Sequence, residues 1–364
     1  MNINDIIITY GSNPTKMTEN LLKAIDIESL IPNKEASIAL KPNLVVAVTA
    51  DGGATTHPEI LVSIIEHLQQ KGYHNISIVE SAWVGDSTKA GFRVNGYPQI
   101  SKKYQVPLID VKDDSYEKKT VDGITMEVSK TILDTDFLIS LPVLKGHCQT
   151  AMTCALKNMK GCLSDRSKRQ FHTLGLHRPI AALNKVRPAD LVIVDSLNGD
   201  LDFEEGGNPV QTNRMFACRD SVLCDSFGSS LMGFELKDVP YIEMAQNLGV
   251  GTTDVQNANF IQLNEPSDEP VSRPTGRANY LGRYTEPKSA CSACYGNLIH
   301  ALKRLDEVNR LKNIKHQICI GQDYKGEQDS LKVGVGICTR GLGKSLPGCP
   351  PKAIDMIKFI KELD

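Results

Sequence analysis

Four cysteines in the C-terminal part of the chain have the spacing of metal ligands. Cys291 and Cys294 form a C-x2-C pair, and Cys338 and Cys349 follow with ten residues between them. Thiolate sulfurs are soft ligands, and two thiols separated by two residues at a helix start can share one metal centre. Glycines beside Cys338 and Cys349 let the backbone approach closely, and prolines around Cys349 stiffen its loop. The spacing therefore predicts that these four cysteines are metal ligands.

The residues around the second pair resemble a known iron–sulfur motif. Gly336-Ile-Cys338-Thr-Arg-Gly341 and Gly348-Cys349-Pro350-Pro351 are similar to the G-x-C-x2-G and G-C-P-P pair of the small subunits of nickel-iron hydrogenases and the related respiratory NADH dehydrogenase. Those subunits bind a cluster, so the resemblance implies one [4Fe-4S] cluster as the cofactor. A four-cysteine zinc site and thiols without a metal are the alternatives.

A basic region between residues 141 and 187 contains a second group of candidates. From Lys145 to Arg187 the sequence has nine lysines or arginines and one acidic residue, Asp165. A basic, glycine-containing loop after a buried strand is suited to holding carboxylate or phosphate groups. We predict acid–base roles for Lys145 and His147. Predicted anion-binding residues here are Lys157, Asn158, Lys160 and His172. The alternative is a solvated surface face.

Three further polar residues follow predicted strands or begin a predicted helix. Asn43 follows one strand, and Thr55 or Thr56 is predicted to cap the helix that begins near Pro58, leaving its N–H groups open to an anion. We predict anion binding by Asn43 and His57. Asp195 ends the run LVIVD, where a carboxylate can bind a metal, accept a proton or orient a lysine, and it is predicted to be catalytic. The acidic residues of segment 200–205 are equally consistent with a solvated loop.

Several longer motifs identify a family. KPNLV, TTHP, LPVLKGH, ALKNMKG, IVD and RDSVLCD together resemble the family catalogued as domain of unknown function 362, over roughly residues 5 to 255. Members of that family often carry an iron–sulfur segment, usually a ferredoxin-like one. The ferredoxin run C-x2-C-x2-C-x3-C does not occur in this sequence.

Short apolar runs alternate with amphipathic stretches over the first two thirds of the chain. Six runs indicate buried strands because they are almost continuously apolar, as covered parallel strands are. They are 5–10, 36–40 with the following KPNLV, 75–80, 106–111, 136–141 and 191–195. Apolar residues at helical spacing predict helices over 17–27, 58–70 and 179–186. This order predicts an α/β fold with a doubly wound, mainly parallel sheet, which binds ligands beyond the carboxyl ends of its strands.

The remainder of the chain is predicted to form a second unit. Segment 252–290 contains four prolines and few apolar runs, which predicts an extended connector. We place the boundary so that residues 1–265 form the α/β domain and residues 266–364 a small cysteine-rich α/β unit that binds the cluster. Its predicted elements are helices at 295–311 and 353–363 and strands at 317–321 and 331–337.

Composition excludes several classes of function. The 43 acidic and 41 basic residues give a net charge of −2, which argues against nucleic-acid binding. No apolar run is long enough for a membrane span, and the first residues do not resemble a secretory signal, so a cytoplasmic location is predicted. The sequence does not predict the oligomeric state.

Three functions fit these observations. The first is an iron–sulfur electron-transfer protein or oxidoreductase that acts with a redox partner protein or a small anionic substrate. The second is a non-redox enzyme that acts on a small carboxylate or phosphate and carries a structural cluster. The third is a zinc-stapled binding module without turnover.

Overall fold

In the computed structural model, an eight-stranded sheet forms the centre of the larger part of the chain. The structure describes residues 1–266, 276–314 and 316–363. The strands in these ranges are β1 (Asp5–Tyr10), β2 (Ile38–Pro42), β3 (Ile76–Glu80), β4 (Leu108–Asp110), β5 (Tyr116–Val121), β6 (Ile124–Ser129), β7 (Phe137–Leu141), β8 (Lys145–His147), β9 (Ala151–Thr153), β10 (Leu191–Ser196), β11 (Arg214–Cys218), β12 (Asn259–Gln262), β13 (Thr285–Pro287), β14 (Ile318–Ile320), β15 (Asp329–Val335) and β16 (Leu342–Leu346).

The helices follow the same alternating order in the first part of the chain and flank the strands. They are α1 (Pro14–Ile25), α2 (Pro58–Gln70), α3 (Thr88–Val94), α4 (Tyr97–Tyr104), α5 (Lys130–Asp134), α6 (Ala155–Asn158), α7 (Asp165–Thr173), α8 (His177–Val186), α9 (Ser221–Leu231), α10 (Tyr241–Asn247), α11 (Arg277–Gly282), α12 (Ser292–Glu307) and α13 (Ala353–Lys361). None of the described helices is both long enough and apolar enough to cross a membrane.

The large sheet has the strand order β12-β1-β11-β10-β7-β2-β3-β4. All neighbouring pairs are parallel except the two that involve β11, which runs antiparallel to β1 and β10. In the β2–β7 pair, Pro42 lies opposite Leu141, so these two strands finish side by side. The prediction of a mainly parallel α/β sheet is therefore confirmed.

Apolar side chains cover both faces of this sheet. Along β1, Ile7 belongs to one core with residues of α1 and α2, whereas Ile6 and Ile8 belong to a second core with residues of α6, α8 and α9. Successive residues of a strand point to opposite faces, so the two cores lie on opposite sides of the sheet. This arrangement makes the sheet doubly wound and explains why its strands read as continuous apolar runs.

The C-terminal segment has its own sheet and its own core. Strands β13, β14, β15 and β16 form a four-stranded parallel sheet in that order. Apolar residues of α12 and α13, such as Leu298 and Met356, pack with Ile318 and Val335 of this sheet. The division of the chain near residue 265 stays a prediction, and it borders segment 267–275, which lies outside the described residues.

Some elements differ from the sequence prediction. The sequence predicts an extended connector over 252–290, whereas β12, α11 and β13 lie there, because short elements need few apolar residues. The hairpin of β5 and β6 is absent from the prediction because β5 is largely exposed and charged. Helix α12 begins at Ser292 rather than near residue 295, with Cys291 as its N-cap residue.

Candidate functional site

Buried polar residues collect beyond the carboxyl ends of β2 and β3. Lys41 at the end of β2 forms an ion pair with Glu80 at the end of β3, with 2.7 Å between Nζ and Oε2. The Oδ1 atom of Asn158 accepts hydrogen bonds from Lys41 Nζ at 3.2 Å and from Asn43 Nδ2 at 3.0 Å. All four side chains are buried. They form a polar network that fixes the loops around the strand ends.

Lys145 is completely buried and fully hydrogen-bonded. Its Nζ atom donates to Asn43 Oδ1 at 2.8 Å, to the Ala54 carbonyl at 2.5 Å and to the Glu204 carbonyl at 3.0 Å. An ammonium group has three N–H bonds, so these three acceptors use all of them. Burial lowers the pKa of Lys145 to about 7. Lys145 therefore holds these three acceptor groups in place.

Glu204 joins two of the predicted residues. Its carboxylate lies 2.8 Å from His147 Nε2 and 2.5 Å from Lys157 Nζ. His147 Nδ1 accepts the N–H groups of Gln149 and Thr150, which leaves the ring proton on Nε2, facing Glu204. Burial would raise the pKa of Glu204, but the hydrogen bond from His147 and the charge of Lys157 hold it well below its usual range. Glu204 is therefore a buried, ion-paired group rather than part of a solvated loop.

Asp195 pairs with His57 at a separate position. Asp195 Oδ2 lies 2.7 Å from His57 Nδ1 and accepts the backbone N–H of His57 at 2.9 Å. Burial would lower the pKa of His57, but the hydrogen bond and charge of Asp195 raise it. The sequence predicts that Thr55 or Thr56 caps α2, whereas His57 is the N-cap residue and Thr56 Oγ1 donates to the carbonyl of Leu141. The carboxylate of Asp195 thus occupies the start of α2, where an anion was expected.

A cavity of about 60 Å³ lies between the lysine-bearing segment from α6 to α7 and the start of α12. This volume is several times the roughly 10–15 Å³ that one water molecule requires. Its lining comprises Asn43, Val45, Glu80, Ser81, Trp83, Val84, Thr153, Lys157, Asn158, Lys160, Gly161, Lys168, His172, Glu204, Cys291, Ser292 and Ala293. The structure thus brings five predicted anion-binding residues and one predicted cysteine ligand together. His57, Lys145, His147 and Asp195 lie outside this lining.

Lys160 has the least neutralised charge in the cavity wall. Among the described residues, its ammonium group has one hydrogen-bonding neighbour, His172 Nε2 at 3.4 Å, and no carboxylate within ion-pair distance. Burial and then the charge of Lys157 lower the pKa of Lys160 to about 7. Lys168, in contrast, donates to Ser81 Oγ at 2.5 Å and to the Ala82 carbonyl at 2.8 Å. Among the lysines of the cavity lining, Lys160 is therefore the one whose charge is most available to an anion.

The start of α12 contacts residues of the basic region beside the cavity. Ser292 Oγ lies 3.4 Å from His147 Nε2 and 3.5 Å from His172 Nε2. Gln149 Nε2 donates to the carbonyl of Ala290 at 3.0 Å, just before the cysteine pair. The first residues of the cysteine segment therefore pack directly against the histidines of the basic region.

The four predicted cysteine ligands lie near one another at the ends of three loops. Cys291 caps α12, Cys338 follows β15, and the exposed Cys349 follows β16. Burial and the charges of Cys338 and Cys349 raise the pKa of Cys291, and burial and the other three thiols raise that of Cys294. Each thiol is thus within electrostatic range of others in the set.

The separation of these sulfurs bears on the kind of metal centre that they could hold. A zinc ion with Zn–S bonds of about 2.3 Å would hold its sulfurs roughly 3.8 Å apart. Within the described part of the chain, no three of these four sulfurs lie within 4.8 Å of one another. A wider arrangement is compatible with a cluster in which each cysteine binds a different iron.

The described residues do contain one tighter group of potential ligands. Ligand atoms of Cys154, Cys224 and Asp225 lie within 4.8 Å of one another, and all three side chains are buried. Asp225 already accepts the N–H groups of Ala155 and Leu156 at the start of α6. We assign this aspartate to the capping of a short helix in the core.

Residues 38–230 match the family described as "Domain of unknown function (DUF362)". The match covers more than half of the chain. This chain belongs to that family. The family resemblance expected from the KPNLV, LPVLKGH and ALKNMKG motifs is thereby confirmed, whereas the resemblance of the cysteine segment to hydrogenase subunits stays a prediction.

The individual proteins to which this chain is similar share less than a quarter of their aligned residues with it. A thylakoid-associated protein of Synechocystis is 23% identical over 232 residues, which are 59% of this chain and 69% of that protein. The lactate racemase apoprotein of Thermoanaerobacterium thermosaccharolyticum aligns with a TM-score of 0.43 and 13% identity, over 62% of this chain and 56% of the racemase. A Thermotoga maritima protein aligns with a TM-score of 0.40 and 12% identity, over 66% of this chain and 60% of its own. The chain thus spans less than two thirds of either solved structure.

The cytoplasmic location expected from the sequence stays a prediction.

Several cavity residues were not predicted. Glu80 ends the predicted strand NISIVE, and Ser81 and Trp83 follow it, so the rule that ligands bind beyond strand ends could have identified them. Thr153 and Ser292 do not follow a predicted strand, so this rule could not identify them. Their place in the cavity depends on how the C-terminal segment packs.

Proposed function

We propose that this protein is an iron–sulfur oxidoreductase. In this proposal, one [4Fe-4S] cluster is bound by Cys291, Cys294, Cys338 and Cys349, and a small anion in the adjacent cavity is the substrate. A redox partner protein supplies or removes the electrons. Such a cluster, when bound, supplies single-electron transfer.

One observation carries this proposal: Cys291 lines the same cavity as Lys160 and His172. Electron exchange between a cluster and a substrate requires proximity, and spacing along the chain does not report proximity. The contact of a proposed ligand cysteine with a basic cavity supports a shared function for the two predicted sites.

The donor set supports an iron–sulfur centre over a single zinc ion. The sulfurs are spread more widely than the ligands of one zinc, and they belong to three loops. Burial and then the neighbouring thiols raise the pKa values of Cys291 and Cys294, so their thiolate forms need a nearby positive metal centre. Iron or zinc would supply that charge, so it is the spread of the sulfurs that favours the cluster.

The residues of the chain have distinct proposed roles around the anion. Lys160 binds it through charge, and because its pKa lies near 7 it can hold or release a proton at Nζ. Glu204 fixes Lys157 in the cavity wall by an ion pair. Lys145 and His147, with their hydrogen bonds to Asn43 and Glu204, position the wall and do not touch the anion.

Acid–base chemistry without electron transfer is a second candidate. It is favoured by Lys160, because a general acid or base works best when its pKa is near the working pH. Turnover of an anion by protein from which the cluster has been removed would support this candidate over the first.

Single cysteine-to-serine variants test the proposal. We expect Cys291→Ser, Cys294→Ser, Cys338→Ser and Cys349→Ser each to lose more than half of the iron and sulfide found in the wild type after purification without oxygen. Cys319→Ser is the matched control, because this buried cysteine lies on β14 of the same unit and outside the predicted ligand set. Wild-type iron content in all four variants would refute the proposal.

A further inference from the structure

We propose that the cavity binds a short organic monocarboxylate that carries one further hydrogen-bonding group. The inference rests on the proposed function, because it names the substrate class of the same cavity. It depends on four properties of the lining: its size, its charge, its unpaired polar atoms and its apolar wall.

Size limits the ligand to a small molecule. The cavity has a volume of about 60 Å³. At roughly 10–15 Å³ for each water-sized group, it accommodates about four to six non-hydrogen atoms. This range corresponds to a carboxylate of two to four carbons.

Charge selects a monoanion. Lys157 is paired with Glu204, and Lys168 donates to Ser81 and Ala82, so Lys160 is the lysine of the lining without a strong acceptor among the described residues. Two carboxylates, Glu80 and Glu204, also line the cavity. One available cation beside two carboxylates favours a single negative charge and disfavours a dianion such as hydrogen phosphate.

Two buried polar atoms on residues of the lining lack a hydrogen-bond partner among the described residues. Thr153 Oγ1 and His172 Nδ1 are buried without a hydrogen bond to any described residue. His172 Nε2 faces the ammonium of Lys160 and the N–H of Ser292, so it acts as an acceptor and the ring proton belongs on Nδ1. Because unpaired buried polar groups are costly, a ligand with a hydroxyl or carbonyl group that pairs with them would gain affinity.

Part of the cavity wall is apolar. Trp83 lines the cavity with Val45, Val84 and Ala293. An inorganic oxyanion has no apolar surface to place against this wall, whereas the carbon chain of a carboxylate does. The same wall provides a reporter, because Trp83 is the one tryptophan of the chain.

The test measures Trp83 fluorescence and calorimetric heat in titrations of the anaerobically purified protein. The probes are glycolate, acetate, phosphate and benzoate. We expect glycolate to bind at least tenfold more tightly than phosphate or benzoate, and more tightly than acetate, which lacks the hydroxyl group. Tighter binding of phosphate, or equal binding of all four anions, would overturn the proposal.

Variants separate this inference from simpler explanations. Lys160→Met is expected to weaken glycolate binding at least tenfold with unchanged iron and sulfide content. Lys118→Met, which changes an exposed lysine of β5, is the control and is expected to bind like the wild type. If Lys160 only balances the charge of the cysteine centre, Lys160→Met shifts the reduction potential and leaves glycolate binding unchanged. That result would refute the inference.

The outcome also distinguishes this inference from the proposed function. Lys160-dependent binding of glycolate to protein without iron would refute the proposed cluster and retain the carboxylate site. A full complement of iron and sulfide with no binding of glycolate or acetate would retain the cluster and refute the carboxylate site.

Discussion

The charge of Lys160 is set by its surroundings. Burial and the charge of Lys157 lower its pKa to about 7, and no described carboxylate pairs with it. An anion in the cavity would stabilise the ammonium form and raise this pKa. Anion binding and protonation of Lys160 are therefore linked.

This linkage predicts a pH dependence of binding. The ammonium form predominates below pH 7, so the affinity for glycolate is expected to be constant there and to fall about tenfold per pH unit above 7. Calorimetric titrations between pH 5.5 and 9 measure it. Lys160→Arg keeps its charge over this range and is expected to bind without the decline. The same decline in the arginine variant would assign the dependence to another group.

Glu205 makes a second pH-dependent contribution, in this case to stability. Burial raises its pKa from 4.5 to about 7, one of its oxygens lacks a described partner, and its carboxylate faces Gly296 of α12. The folded state holds the Glu205 proton more tightly than the unfolded chain does. The stabilising contribution of this proton to the free energy of unfolding is therefore complete below pH 4.5 and is lost as the pH rises through 7.

We therefore expect Glu205→Gln to be more stable than the wild type at pH 8, by about 1–2 kcal/mol, and similar to it at pH 4. Thermal unfolding at both pH values measures the difference. Glu19→Gln changes an exposed glutamate on α1 and is expected to match the wild type at both values. Equal stability of Glu205→Gln and wild type at pH 8 would contradict this explanation.

Among the secondary-structure elements, the parallel strands could be predicted from the sequence, whereas the antiparallel strand β11 could not. Strands β1, β2, β3 and β7 were predictable because burial on both faces leaves long apolar runs. The antiparallel β11 was not, because its direction is set by pairing with β1 and β10 rather than by its own composition. Glu204 was not assigned to the site for a similar reason, since its partners His147 and Lys157 are distant in sequence.

One loop contact between elements predicts a specific defect. Gly85, in the loop after β3, has a φ of +97°, and a Cβ atom there would lie 2.4 Å from Cδ of Pro350, next to Cys349. Gly72 has a similar φ of +83°, but its Cβ would meet no atom within 4 Å. Both alanine variants carry backbone strain of roughly 1–2 kcal/mol, and Gly85→Ala carries a clash as well.

We expect Gly85→Ala to lose bound iron because it displaces the Cys349 loop, while Gly72→Ala keeps the wild-type iron content. Iron analysis of both purified variants, with thermal unfolding as a check on folding, measures the effect. Equal iron content in the two variants would show that the contact with Pro350 does not position Cys349.

At the scale of the whole molecule, the cavity exists because two parts of the chain pack together. The lysine-bearing segment from α6 to α7 belongs to the family region at residues 38–230, and the start of α12 with Cys291 lies outside it. The sequence predicted the ligand types in each part from spacing and composition. It could not predict that Ser292 meets His147 and His172, because no local pattern encodes contacts across more than a hundred residues.

The central claim is that the four cysteines bind an iron–sulfur cluster beside this cavity. The most direct test is the iron, zinc and acid-labile sulfide content, with the absorption spectrum, of wild-type protein purified without oxygen. We expect about four irons and four sulfides per chain and a broad visible band that bleaches on reduction. One zinc per chain, no sulfide and no colour would contradict it, and would make the C-terminal segment a structural zinc unit.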